Sequence, residues 1–225
     1  MQLLRTPEPE LMDDAQLALA YDEADFAAPH RRFVELFCET WPQERGPIAG
    51  LCLDLGCGPA DVSVRLASAC PALCIDGVDG AEAMLALGRA RVLRAGLQNR
   101  VRLYRGRLPD DPLPRTRYDI VTSNSLLHHL HDPQVLWRTV RKASHQGSWL
   151  FVMDLMRPAS SEDALRLTER YAKDEPELLR RDFHASLHAA FTPTEVEAQL
   201  FAAGLPSLRV APVSDRHLIV TGVLP

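Results

Sequence analysis

The chain has almost no lysine: Lys142 and Lys173 stand beside 23 arginines in a total of 25 basic residues. With 30 acidic residues the formal net charge is -5 at pH 7, so no global positive field draws the chain to nucleic acid or anionic lipid. This sets DNA aside as a partner. No apolar run approaches the roughly 18 residues that a membrane helix needs. The acidic opening MQLLRTPEPELMDD carries no signal-peptide pattern. Its five cysteines, Cys38, Cys52, Cys57, Cys70 and Cys74, include no CxxC pair, which argues for reduced, structural thiols rather than a metal site. Together these gaps exclude a secreted disulfide scaffold, a membrane protein and a strongly basic nucleic-acid binder. A cytoplasmic protein is expected, and 225 residues suffice for one domain with room for a cap or an insertion.

What is there is alternation. Leu51 to Leu55 reads as a strand that ends in a glycine-rich turn, and Asp61 to Ala69 follows as a helix. A second strand spans Leu73 to Asp79 and a second helix Ala81 to Ala95. Val101 to Tyr104, Tyr118 to Ser123 and Ser148 to Asp154 supply three more strands. The last two are separated by a helix with Asp132 as N-cap and Pro133 at its first position. Strands spaced by helical patterns make βαβ units and a parallel sheet.

Residues 157–191 carry no strand pattern, and Leu179, Phe183, Leu187 and Phe191 recur every four residues as one apolar helical stripe. Thr192 to Glu195 predicts a capping-box helix start, with Gly204 as its stop. Leu208 to Val213 and Leu218 to Val223 are placed to pair antiparallel. Pro29 opens and Trp41-Pro42 closes a helix ahead of the sheet. The expected organisation is a single domain: a helical cap at 1–45, a core at 46–156, a helical lid insertion at 157–191, and a last helix and strand hairpin at 192–225.

The turn after the first strand reads Leu53-Asp54-Leu55-Gly56-Cys57-Gly58-Pro59-Ala60. Gly56 and Gly58 let the backbone turn sharply and approach a ligand where a Cβ would clash. Asp79 ends the next strand 21 residues after Gly58, the place and spacing for a carboxylate accepting hydrogen bonds from two ribose hydroxyls. Turn, strand, helix and spaced aspartate together point to a nucleotide-type ligand.

The succession DLGCGPA, GVDGAEAML, YDIVTSNSLLHHLHDP and QGSWLFVMD resembles the class I S-adenosylmethionine-dependent methyltransferases, nearest their small-molecule and quinone-type branch, over residues 50–158. The resemblance implies an α/β, Rossmann-like seven-stranded sheet of order 3-2-1-4-5-7-6 with strand 7 antiparallel. It implies S-adenosyl-L-methionine as cofactor, its methionine part on Asp54, Gly56, Cys57 and Gly58. Asp79 would take the ribose, Gly80 and Met84 the adenine edge, and Asn124 and Ser125 would flank the sulfonium. The chain departs from the pattern at three points. Ala60 replaces the third loop glycine, Gln146-Gly147 replaces a Gly-Gly before strand 5, and Gly106-Arg107-Leu108 stands where an acidic residue usually meets the adenine amino group. Adenine recognition at Arg107 and Leu108 is therefore expected through backbone groups. A Rossmann dehydrogenase, the rival nucleotide reading, does not match SNSLLHHL.

For the acceptor, Ser123-Asn124-Ser125-Leu126 replaces the Asn/Asp-Pro-Pro-aromatic run of enzymes that methylate planar bases. This favours a small molecule methylated at an O, N, S or C atom. His128 and His129 follow strand 4 and Asp154 closes strand 5; a histidine with a carboxylate across the cleft is a candidate base and orienter. Packing of the two histidines is the competing reading. Arg180, His184 and His188 sit at i, i+4 steps beside the apolar stripe, where a polar lid border is favoured over metal. Asp215-Arg216-His217 either faces the same cleft or forms the hairpin turn. Tyr21, Asp25 and Phe26 occupy the N-terminal cap that in related enzymes closes over cofactor and acceptor. Arg89, Arg91, Arg94, Arg100, Arg102, Arg105 and Arg107 form a solvated face or, in an alternative reading, an RNA-binding stripe. A cofactor-binding subunit without catalysis is the other alternative. A monomer or homodimer is expected.

Overall fold

The computed structural model describes residues 3–8, 24 and 26–225. Tyr21 and Asp25, both assigned to the N-terminal cap, lie outside the described residues. In chain order the elements are α1 (Ala27–Thr40), β1 (Ala49–Leu55), α2 (Asp61–Ala69), β2 (Ala72–Asp79), α3 (Glu82–Arg94), β3 (Val101–Arg105) and β4 (Tyr118–Asn124). There follow α4 (Gln134–Ala143), β5 (Ser144–Leu155), α5 (Ser161–Ala172), α6 (Glu177–Ala189), α7 (Pro193–Ala202), β6 (Arg209–Pro212) and β7 (His217–Val223). The strands form one seven-stranded sheet of order β3-β2-β1-β4-β5-β7-β6. β7 runs antiparallel between β5 and β6, and the other neighbouring pairs are parallel. The expected topology is the one observed.

The central strands are buried on both faces because helices cover both. On one face Trp137 and Val140 of α4 meet Val196 and Leu200 of α7 over Leu53, Leu55, Val121 and Val152. On the other, Phe33 and Phe37 of α1 set their rings edge-on against Phe151, at 4.9 and 5.5 Å between centroids. Leu66 of α2 and Val92 of α3 complete that layer. Among the described residues no helix is long and apolar enough to cross a membrane.

Several sequence boundaries shift. α4 starts at Gln134, so Pro133 is its N-cap rather than its first residue, and the Asp132 carboxylate accepts from the Gln134 N–H at 3.0 Å. The four-residue stripe does not lie on one helix to its end. α6 stops at Ala189, Ala190 is extended, and Phe191 leaves the helix to form a parallel bridge with Met156 and enter the main core. The capping box at Thr192 and Glu195 is made in full. Gly204, at φ +71°, ends the α7 segment as expected.

The α5–α6 hairpin thus begins and ends beside Met156 and Phe191, which are neighbours. Residues 3–8 form a strap across it: Leu3 N–H donates to the Ala159 carbonyl and Thr6 N–H to the His188 carbonyl, each at 3.0 Å. The Arg5 guanidinium donates to the carbonyls of Ala189, His128 and Leu130 and lies 4.0 Å from the centre of the Phe191 ring. One side chain therefore pins strap, hairpin and the turn after β4 together.

Candidate functional site

The ligand-type loop folds over the end of β2. Gly56 and Cys57 donate their N–H groups to the Val78 carbonyl at 2.8 and 3.1 Å. Gly56 has φ +69°, and a Cβ there would stand 2.9 Å from Leu126. Gly58, at φ +50°, has nothing within 4 Å of its Cβ position, so the loop opens to one side at that residue. Ala60 takes the third glycine's place in the left-handed region, at φ +59°, where a non-glycine residue pays on the order of 1–2 kcal/mol. Its small side chain is what α3 can accept, since Gly88 approaches it closely.

Asp79 ties two loops together. One carboxylate oxygen accepts from the Gly58 N–H and the other from the Ala81 N–H, both at 2.8 Å. Gly106, after β3, donates to the Asp79 carbonyl at 2.9 Å, so three strand ends converge on this residue. Met84 is buried with Ala81 in a small apolar cluster beside it. Beyond Gly106, the Arg107 N–H donates to the Asp111 carboxylate at 2.8 Å, and Leu108 packs against the main core.

Asp54 lies beneath the loop. It is buried, accepts from the Ser63 hydroxyl, and takes a 3.3 Å hydrogen bond from Thr122; burial pushes its carboxyl up to about 6. It fixes the start of α2 against β4. Cys57 is buried too, and burial raises its thiol far above the ordinary range, which suits packing and not nucleophilic attack. Asn124 ends β4, and Ser125 takes the left-handed φ of +54° while its N–H donates to the Met153 carbonyl. That turn brings Leu126 under Gly56, so the loops after β1 and β4 interlock.

The histidine pair lies at the same end of the sheet. His128 Nδ1 is 2.6 Å from one oxygen of Asp154, whose other oxygen accepts the Leu127 N–H at 2.7 Å. His128 and Asp154 are therefore brought together as expected, and both are buried. The sequence reading missed their third partner, Glu8. Its Oε1 lies 3.1 Å from His129 Nδ1 and 3.5 Å from His128 Nε2, and the Ser186 hydroxyl donates to both of its oxygens. No spacing marks this glutamate, because it reaches the histidines from some 120 residues away in sequence.

Burial pushes the Glu8 carboxyl up to about 7, against a downward pull from His128. His128 is itself lowered by burial, but the Asp154 carboxylate outweighs this and holds it above its ordinary value. The two imidazoles stack with ring centres 4.2 Å apart and planes tilted by 35°.

The remaining assigned residues divide. Arg180 and His184, with Thr6, Glu8 and Thr168, line a cavity of about 430 Å³ between strap and hairpin. His184 Nδ1 is 3.0 Å from the Thr168 hydroxyl, and its ring centre lies 4.7 Å from that of His188 with the planes tilted by 51°. The Phe26 ring is 5.6 Å from that of His30, whose Nδ1 meets Asp61 at the start of α2. Asp215 accepts from the Tyr171 hydroxyl at 2.8 Å and the Arg216 guanidinium covers the Tyr171 ring, so the β6–β7 turn grips α5. A larger cavity, about 1010 Å³, opens between that turn, the strap and α5; Leu3, Met156, Leu167 and Asp215 line it.

A family model described as a methyltransferase domain matches residues 52–147. A ubiquinone biosynthesis O-methyltransferase of Bordetella avium is 32% identical over 171 residues, covering 73% of this chain and 66% of that protein. The chain thus spans slightly less than two thirds of that relative's length. The plantazolicin methyltransferase BpumL, solved in complex with SAH, superposes with a TM-score of 0.71 at 14% identity over 94% of this chain and 91% of that one. A putative S-adenosyl-L-methionine-dependent methyltransferase of Methanococcus maripaludis gives 0.70 at 19% identity over 98% of each chain. At these identities the two structures attest the fold.

Proposed function

Because the chain belongs to the class I S-adenosylmethionine-dependent methyltransferases and takes S-adenosylmethionine as cofactor, we propose that it methylates a hydroxyl group of a small molecule. The observation that carries this reading is the buried His128–Asp154 pair at the same strand ends as the glycine loop. A hydroxyl must lose its proton as it gains a methyl group, and an imidazole held by a carboxylate is suited to take it. The O-methyltransferase among the relatives points the same way.

The residues present fit the cofactor. Gly58 faces open space, and the half-buried Asp79 carboxylate, which accepts the Gly58 and Ala81 N–H groups, stands beside it. In this reading Gly56 to Gly58 hold the methionine part, Asp79 the ribose, Gly80 and Met84 the adenine edge with the Arg107–Leu108 backbone, and Asn124 and Ser125 flank the sulfonium. When bound, the cofactor supplies a methyl group already activated for in-line displacement. The protein's own work is then alignment, proton removal by His128 or its neighbour His129, and exclusion of water by the α5–α6 hairpin acting as a lid bordered by Arg180 and His184.

The arginine face lends little support to RNA as acceptor. Arg91 donates to the Pro59 carbonyl, Arg100 to the carbonyls of Ala67 and Leu73, and Arg89 pairs with Glu82. These guanidiniums brace the fold. Incubation with labelled cofactor and a panel of phenols and other hydroxylated small molecules, with and without ribonuclease, tests the proposal. Label appears in the small-molecule fraction and is insensitive to ribonuclease; label confined to RNA would overturn the reading.

The cofactor site has its own test. Asp79→Ala removes a bidentate ribose contact and weakens cofactor binding by roughly 1 to 3 kcal/mol, about 10- to 100-fold, the scale of hydrogen bonds to a charged group. Calorimetric titration measures it. Equal affinities in a folded variant would mean that the ribose is held elsewhere.

A further inference from the structure

We infer that Glu8, His128 and His129 form a binding site for a transition-metal dication of the zinc class. The inference goes beyond the functional reading above and does not depend on which acceptor is methylated. It begins with the spacing of the donor atoms. Glu8 Oε1 lies 3.1 Å from His129 Nδ1 and 3.5 Å from His128 Nε2. One ligand atom from each of the three residues lies within 4.8 Å of the other two. Zinc bonds of about 2.0–2.1 Å in a tetrahedron set neighbouring ligand atoms about 3.3–3.4 Å apart. The two measured edges bracket that value. A separation of 3.5 Å is long for a hydrogen bond but natural for two ligands of one ion.

The donor set selects the ion. Two imidazoles and one carboxylate are a ligand set that zinc takes with a fourth position left open, whereas magnesium and calcium take oxygen. The surrounding contacts orient the ligands. Asp154 holds His128 Nδ1 at 2.6 Å and so leaves Nε2 toward Glu8, the carboxylate–imidazole arrangement that aims a metal ligand. The Ser186 hydroxyl reaches both Glu8 oxygens, at 3.0 and 3.2 Å, and fixes that carboxylate. Arg5, in the same strap, directs its hydrogen bonds to the carbonyls of Ala189, His128 and Leu130.

All three ligands are buried, as is Asp154, and a dication between them offsets two buried carboxylates. Glu8 also lines the cavity of about 430 Å³ between strap and hairpin, which gives an ion its way in. Among the described residues no other group of three His, Cys, Asp or Glu converges in this way. Ion binding and proton acceptance draw on the same lone pair of His128 Nε2, so they exclude each other. The ion-loaded protein therefore has no base at His128, and the site restrains the proposed transfer instead of assisting it.

The test uses chelator-treated protein without cofactor or acceptor, titrated with Co²⁺ by its visible spectrum and with Zn²⁺ by calorimetry. One Co²⁺ binds per chain with the intense bands of a four- or five-coordinate ion, and Zn²⁺ displaces it. Asp154→Asn, which removes only an orienting partner, weakens binding about 10- to 100-fold, and Glu8→Gln and His129→Gln weaken it further. His188→Gln, across the same cavity, leaves it unchanged. X-ray absorption at the zinc edge of the wild type reads the ligands even where a variant fails to fold. It shows imidazole and oxygen at about 2.0–2.1 Å. No binding by the wild type, sulfur ligands at about 2.3 Å, or full affinity in a folded Glu8→Gln variant would overturn the inference.

Discussion

Replacing His128 by Gln slows single-turnover methyl transfer by about 10² to 10⁴-fold, the range for loss of a general base. Glutamine keeps the approximate size and can still bond to Asp154, but it cannot accept a proton. The pH dependence sharpens the test. Because Asp154 holds His128 above its ordinary value, the unprotonated form that acts as base accumulates only at correspondingly higher pH. The wild-type rate therefore climbs with pH through that raised value, and His128→Gln lacks the climb. The same shift has a stability sign. The histidine's contribution is complete below its unfolded-chain value and is lost as pH rises through the folded one. His129 packs its ring against that of His128, so His129→Gln is expected to cost stability more than rate. Wild-type rates and an unchanged profile in both variants would mean that alignment alone drives transfer.

Excising the α5–α6 hairpin removes turnover and leaves cofactor binding within an order of magnitude. The cut is practicable because Met156 and Phe191 pair directly, so a short glycine linker can join Arg157 to Ala190. Phe191 must stay, since it packs in the main core. Two of the hairpin's buried side chains, Ala164 and Leu187, form a satellite cluster with Leu3, Leu155 and Ala190. Its removal therefore spares the two cores that cover the sheet. Without it the strand ends lie open to water, and neither desolvation nor alignment of the reactants survives. Substantial turnover by a folded excised variant would sink the lid assignment.

What could be read in the sequence is what depends on neighbours in sequence. The glycine turn, the spaced Asp79, the capping box at Thr192 and the alternation of strands are short-range patterns with fixed backbone requirements. Each recurs in the structure. The strand order came through the family motifs, which local propensity does not encode. Phe191 shows how periodicity can run past its cause. It keeps the four-residue spacing, yet Ala190 is extended and the side chain packs by way of a bridge to β5. Asp54 shows what a motif leaves unsaid: its carboxylate also accepts from Ser63 and Thr122, contacts that no local pattern announces. Glu8 was beyond reach because its significance arises from the strap's path over the hairpin.

That path ties together parts of the chain that a thermal fluctuation would otherwise open separately. The strap's backbone bonds run to Ala159 and His188, one on each side of the hairpin, and Arg5 bridges to Leu130 beyond it. Strap and hairpin should therefore exchange their amide hydrogens as a single cooperative unit, at a protection well below that of β1 and β4. Glu8 sets the direction in which that unit responds to acid. Its carboxyl binds a proton more tightly when docked, at about 7 against an ordinary 4.5, so the docked state loses stability as pH rises across that interval. His128 loses its contribution in the same direction. After correction for intrinsic rates, the Leu3, Thr6 and Ala190 amides should lose protection together toward alkaline pH, while those of the central strands hold theirs.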